Sequence, residues 1–91
     1  MPEVHHAKVY FSGHVQGVGF RYQTLQMARG FEISGWVGNL PDGRVLLEAE
    51  GTADEVQAFV AGVQEQMQGF IRKTEMSEVK REAQFQGFGI R

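Results

Sequence analysis

Between Thr52 and Met67 the chain carries one apolar stripe. Val56, Phe59, Val60, Val63 and Met67 recur at i, i+3, i+4, i+7 and i+11. A helix with a single apolar face must bury it against another element, and that need constrains the whole chain. Thr52 with Glu55 three residues later makes a potential capping box at its start. Gly69 stands where a C-terminal cap is expected.

The flanking segments supply the partner. Ala7, Val9 and Phe11 alternate with Lys8, Tyr10 and Ser12, a strand with one buried face that stops at Gly13. Val45, Leu47 and Ala49 alternate with Leu46, Glu48 and Glu50 in another strand, ended by Gly51. Trp36 and Val37 lie in a short strand ending near Asn39 and Leu40, and Pro41-Asp42-Gly43 turns the chain into the next one. Arg21 to Arg29 contains no breaker and is rich in helix formers. Thr74 to Arg81 reads as a strand with Met76 and Val79 inward, and Phe88 and Ile90 as a final short strand.

The order is β-α-β-β-α-β with one extra strand. It predicts an α+β, ferredoxin-like split β-α-β sandwich: a five-stranded mixed sheet with two helices on one face. Residues 1–91 form one domain in this reading, since a chain of this length buries roughly 60–65% of its unfolded surface. The first two sheet strands run parallel with the third between them. Their C-terminal ends then share one sheet edge, where the loop around Gly17, the start of the first helix and Asn39 meet.

Composition narrows the chemistry. There is no cysteine, so disulfides, thiolate metal sites and cysteine nucleophiles are excluded. Net charge is −2, without the basic excess of a protein built to grip nucleic acid phosphates. No apolar run is long enough for a signal peptide or a membrane helix, so the cytoplasm is the expected compartment. Twelve glycines in 91 residues are nearly twice the usual ~7%. Many of them cluster at the edge just described.

Residues 13–21, Gly-His-Val-Gln-Gly-Val-Gly-Phe-Arg, join a strand to a helix N-terminus. Glycines there let several backbone N–H groups converge, and the helix end adds positive potential. Arg21 in the first helical turn opposes the helix dipole by ~0.3–1 kcal/mol at an exposed site. A bound phosphate would compensate, and the planar guanidinium matches phosphate oxygens two at a time. The residues alone also allow an ordinary strand–helix connection with a solvated arginine. The pattern is neither a Walker loop nor G-x-G-x-x-G.

This stretch, however, closely resembles the acylphosphatase signature Gly-x-Val-Gln-Gly-Val-x-Phe-Arg. Residues 35–45, Gly-Trp-Val-Gly-Asn-Leu-Pro-Asp-Gly-Arg-Val, with Gly51 beyond, are similar to the family's second signature, and the two stand at the family's spacing. The resemblance covers nearly the whole chain. It implies metal-independent, cofactor-free hydrolysis of the carboxyl–phosphate bond of acyl phosphates. Carried over by position, Arg21 binds the phosphoryl group and Asn39 holds the attacking water. The backbone N–H groups of Gln16, Gly17, Val18, Gly19 and Phe20 form the cradle. The implied partners are a small-molecule acyl phosphate and inorganic phosphate, the latter as product and competitive inhibitor. Neither nucleic acid nor membrane is expected, and the expected state is a monomer. At this length no room is expected for the further domains that accompany the module in hydrogenase maturation proteins.

The chain departs from the pattern in places. Gly38 replaces a longer, often polar residue, which implies a looser strand or a lost substrate contact. Leu40 lacks the hydroxyl of some relatives' threonine. Glu32 stands where glycine is common, so strain there or a cap shifted to Gly30 is expected. His5 and His6 point to opposite faces of a strand and are expected at a frayed terminus. His14 is weighed as an outside candidate for substrate contact. Trp36, Phe11 and Phe59 are expected in the core. Glu48 and Glu50 are expected on the polar strand face without partners. The rival function is a non-catalytic ferredoxin-like module binding a small anion or single-stranded nucleic acid. Against the latter, Tyr10 is the one aromatic expected on the outer face of the two central strands.

Overall fold

The computed structural model describes residues 3–91. Met1 and Pro2, which open the polar N-terminal stretch, lie outside them. The elements are β1 (Glu3–Gly13), α1 (Phe20–Ala28), β2 (Ile33–Asn39), β3 (Val45–Gly51), α2 (Ala53–Gln66), β4 (Ile71–Glu82) and β5 (Phe88–Ile90). They build one five-stranded sheet in the order β4-β1-β3-β2-β5. β3 is antiparallel to both β1 and β2, so those two are parallel to each other. β5 adds parallel to β2. This is the expected split β-α-β arrangement, with an extra strand at the β2 edge.

Both helices cover one face. α2 lies against β1 and β3, and α1 against β2 and β5. The stripe residues Val56, Phe59, Val60, Val63 and Met67 are all buried, beneath Ala7, Val9 and Phe11 of β1 and Val45, Leu47 and Ala49 of β3. Burying each large apolar side chain contributes about 1.5–3 kcal/mol, which is why period two and period 3.6 had to meet at this interface. No helix among the described residues is long and apolar enough to cross a membrane.

The helix ends differ from expectation in instructive ways. Thr52 Oγ1 accepts from Glu55 N (3.3 Å), as a capping box requires. Glu55 does not reach back, however. Its Oε1 accepts from Glu32 N at 2.7 Å, tying α2 to the start of β2. Glu32 therefore carries no strained cap, and among the described residues only glycines have positive φ. The exit of α1 is a run of i→i+3 bonds, from Arg29 N to Gln26 O, Gly30 N to Met27 O and Phe31 N to Ala28 O. Gly69 is not a left-handed cap either. Met67 is the C-cap of α2, and its carbonyl accepts from Phe70 N.

β4 extends over twelve residues and pairs only with β1, so it is an edge strand. Met76 faces the helix side beside Val9, but the helices do not reach it, and it is 47% exposed. Val79 points to the opposite face and is 53% exposed. The inward expectation fails because three-residue spacing places two strand residues on opposite faces. Charges along β4, such as Lys73, Glu75 and Glu82, suit an edge that must not pair further.

His5 and His6 lie within β1 rather than on a frayed terminus. His6 is paired on both sides, with Glu50 and Val79, and is 5% exposed. Glu50, expected to be free, is 3% exposed and heavily engaged. Its Oε2 accepts from Arg81 Nε (3.1 Å), and its Oε1 from Gln84 N (2.8 Å) and Phe85 N (3.1 Å). This one carboxylate pins the segment that crosses from β4 to β5 over the uncovered sheet face. His6 Nε2 lies 3.1 Å from Glu48. Trp36 is likewise on that face rather than in the core, under the Arg91 guanidinium at 4.5 Å. Phe11 and Phe59 are in the core as expected.

Burial pushes the Glu50 carboxyl up, but the donors from Gln84, Arg81 and Phe85 outweigh it and hold it below its ordinary 4.5. A depressed carboxylate adds stability that is present above that value and lost as pH falls through the folded one. Glu50→Gln should therefore cost about 1.5–3 kcal/mol at pH 7, the range for hydrogen bonds to a charged group. Urea denaturation should show the gap from wild type shrinking once pH drops below 4.5. A gap independent of pH would rule out the ionised role.

Candidate active site

β1 ends with a register shift against β4 between Ser12 and Gly13, and His14 N donates to Phe70 O at 2.9 Å. The chain then leaves the sheet as a loop. Val15 is 1% exposed and anchors it in the core, while Val18 packs partly against the same cluster. Gly17 and Gly19 face outward with φ of 77° and 80°. A Cβ at either position would meet nothing within 4 Å. The requirement for glycine is thus conformational: side-chain-bearing residues pay about 1–2 kcal/mol in this region.

Gly19 is the N-cap of α1, with no side-chain cap and no acidic residue in the first turn. α2 in the same molecule has both, with Thr52 capping and Asp54 and Glu55 in its first turn. The first N–H groups of α1 and its positive end are therefore left for something else. The helix is held in place from below. Phe20 is 2% exposed and packs on Phe11 at 5.1 Å between ring centroids, and the buried Thr24 hydroxyl donates to Phe20 O. Arg21, next along, is half-buried and has no ion-pair partner among the described residues.

Asn39 ends β2 and is exposed. Phe11 and Asn39 both pair with Val45 of β3, so the two are level across the sheet. The cradle loop begins just beyond Phe11. As a result Gly17, Gly19, Phe20, Arg21 and Asn39 line one depression of about 230 Å³. Gln16 and Val18 do not line it. The Gln16 side chain turns to the neighbouring hairpin, donating from Nε2 to Leu40 O (2.8 Å) and Arg44 O (3.0 Å). It ties the cradle loop to the residue beside Asn39. The sequence offered no signal for that role, because the acceptors are carbonyls of another element.

The hairpin itself is well braced. Leu40 N donates to Arg44 O, Gly43 N to Leu40 O, and Asp42 accepts from Arg44 N and Nε. Gly43 has the positive φ its turn requires. Leu40 thus serves through its backbone. Gly38 does not loosen the strand: a Cβ there would lie 3.0 Å from Arg91 O and 3.2 Å from the Trp36 ring. The missing side chain makes room for the chain after β5, where Arg91 N donates to Val37 O. His14 is exposed, sits 6.4 Å from the Phe70 ring, and does not line the depression. Tyr22 and Ile90 do line it, and neither was a candidate from sequence.

The family model for acylphosphatase matches residues 7–90. The chain belongs to the acylphosphatase family. An acylphosphatase of Methanospirillum hungatei is 48% identical over 61 residues, 67% of each chain. One from Oceanobacillus iheyensis is 49% identical over 75 residues, covering 82% of this chain and 81% of that one. Among solved structures, the acylphosphatase from Bacillus subtilis superposes with a TM-score of 0.84 at 31% identity, over 94% of this chain and 97% of that one. The chain is an enzyme of this family, and its small-molecule substrate class is acyl phosphates.

Two variants probe the acylphosphatase site. Gly17→Val places a β-branched residue at positive φ, at about 1–2 kcal/mol, well within the 5–15 kcal/mol of a typical domain. Calorimetric titration should show weaker inorganic phosphate binding in a protein that is still folded at 25 °C. Gln16→Leu removes two hydrogen bonds at about 1 kcal/mol each. Its kcat should fall more than its phosphate inhibition constant rises, because the tie runs to the neighbour of Asn39.

Proposed function

We propose that Arg21 and the backbone N–H groups of the loop from Gln16 to Phe20 hold the phosphoryl group, and that Asn39 positions the attacking water. The observation that carries this reading is the unpaired Arg21 beside the bare N-terminus of α1, in one depression with Asn39. The leaving group of an acyl phosphate is a carboxylate, whose conjugate acid has a pKa near ~4, so little acid catalysis is needed. Phosphoryl transfer through a loose transition state asks for positioning and charge stabilisation. A guanidinium and converging N–H donors supply the latter. Asn39 does not titrate, so its amide oxygen orients the water rather than removing its proton in advance. The same reading takes the protein as a single-domain cytoplasmic monomer across residues 1–91, working without metal or cofactor.

The nucleic-acid alternative finds little support on the uncovered sheet face. Arg44 lies over the Tyr10 ring at 4.4 Å and Arg91 over Trp36 at 4.5 Å, so these aromatic faces are already occupied. Glu48 and Glu50 stand on the same face.

Hydrolysis of benzoyl phosphate should proceed undiminished in EDTA, with inorganic phosphate as a competitive inhibitor. Arg21→Ala and Asn39→Ala should each lower kcat/KM by about 10² or more, with melting temperature little changed. Wild-type rates in both variants would overturn the assignment. Phosphate binding without turnover in the wild type would favour the non-catalytic reading.

A further inference from the structure

Among the described residues, five large apolar side chains are exposed: Tyr22, Phe70, Met76, Val79 and Ile90. Two of these, Tyr22 (60% exposed) and Ile90 (41%), lie on the wall of the same depression as Arg21 and Asn39. They come from opposite ends of the chain. Tyr22 follows Arg21 in the first turn of α1. Ile90 reaches the site because β5 pairs in parallel with β2, setting Ile90 beside Val37. Ile90 shares the helix-side face of Phe88, two residues earlier. Phe88 packs edge-on against Phe59 at 5.5 Å, whereas Ile90 emerges beside the first turn of α1.

Exposed apolar residues scattered singly need no explanation, but two that converge on a polar binding site do. The depression, about 230 Å³, extends past Arg21 and Asn39 to the Tyr22 and Ile90 side chains. Phosphoryl recognition uses N–H groups and a guanidinium, so a phenol ring and a branched aliphatic side chain serve no purpose at that end. They suit the other half of the substrate. We propose that Tyr22 and Ile90 form the acyl subsite, and that the protein favours acyl phosphates with an aromatic or branched apolar acyl group over small or charged ones. This rests on the hydrolytic reading above and adds to it a choice of substrate.

The test is the ratio of kcat/KM for benzoyl phosphate to that for acetyl phosphate. Apolar contacts of this kind discriminate by roughly 10–200-fold. In the wild type the ratio should exceed about 10. Tyr22→Ser and Ile90→Thr should each lower it, chiefly through a higher KM for benzoyl phosphate. The inhibition constant of inorganic phosphate should stay within about twofold, the scatter expected when the cradle is untouched. Tyr22→Phe should retain the wild-type ratio, because the ring and not the hydroxyl makes the contact. Tyr22 is exposed, so its substitution leaves folding intact, and a thermal melt checks this. Wild-type turnover of both substrates with a ratio near one, or a ratio unmoved in both variants, overturns the acyl subsite alone. Turnover of neither substrate by the wild type overturns the hydrolytic reading and the subsite with it.

Discussion

The register of β3 with its two neighbours is the constraint on which the site depends. Val45 pairs with Phe11 on one side and with Asn39 on the other. That shared partner puts the exit of β1 and the end of β2 at the same height. A slip of one residue on either side would turn Val45, Leu47 and Ala49 away from α2 and offset Asn39 from the cradle loop. The apolar stripe of α2 enforces the register, since it is buried only when those three residues face it. Core packing and site assembly are therefore one condition here. The Gln16 side chain adds a local tie across the gap, from the loop to the carbonyls of Leu40 and Arg44.

The two ends of the molecule handle charge in opposite ways. At the site end, α1 starts without a side-chain cap or an acidic neighbour, and Arg21 adds a cation beside it. Net charge there is left uncompensated, as an anion-binding site needs. At the other end, Glu50 is buried yet fully served by Arg81 and two backbone N–H groups. His6 is held below its ordinary 6.5, first by burial and then by Arg81, against the pull of Glu48 and Glu50. That junction fastens the crossing segment that delivers β5, and β5 in turn brings Ile90 to the opposite end. A structural carboxylate far from the site thus contributes to its shape.

Much of this was legible from local pattern. The alternation in β1 and β3, the α2 stripe, and Pro41-Asp42-Gly43 all report short-range physics, and each element formed where its period indicated. Gly17 and Gly19 were legible as the glycines that let backbone N–H groups converge; their positive φ was seen only in the structure. Glu50 was misread because its partners lie 31 to 35 residues away. Nothing local distinguishes a solvated strand glutamate from one that will meet an arginine and two amides. The exposure of Met76 and Val79 was misread too. Met76 is exposed because β4 lies beyond the reach of the helices, whereas Val79 points to the face that carries no helix.

By itself the sequence determined the element order, the apolar faces, the place of the cradle glycines, and membership of a family through two motifs in register. Those are properties of residue spacing. Only the tertiary structure decided that Gln16 turns to the hairpin, that Gly38 makes way for the Arg91 backbone, and that Tyr22 and Ile90 meet beside Arg21. Each of these joins residues from different elements. Their meeting is set by strand register and by the path of the β4–β5 crossing, which no local period encodes.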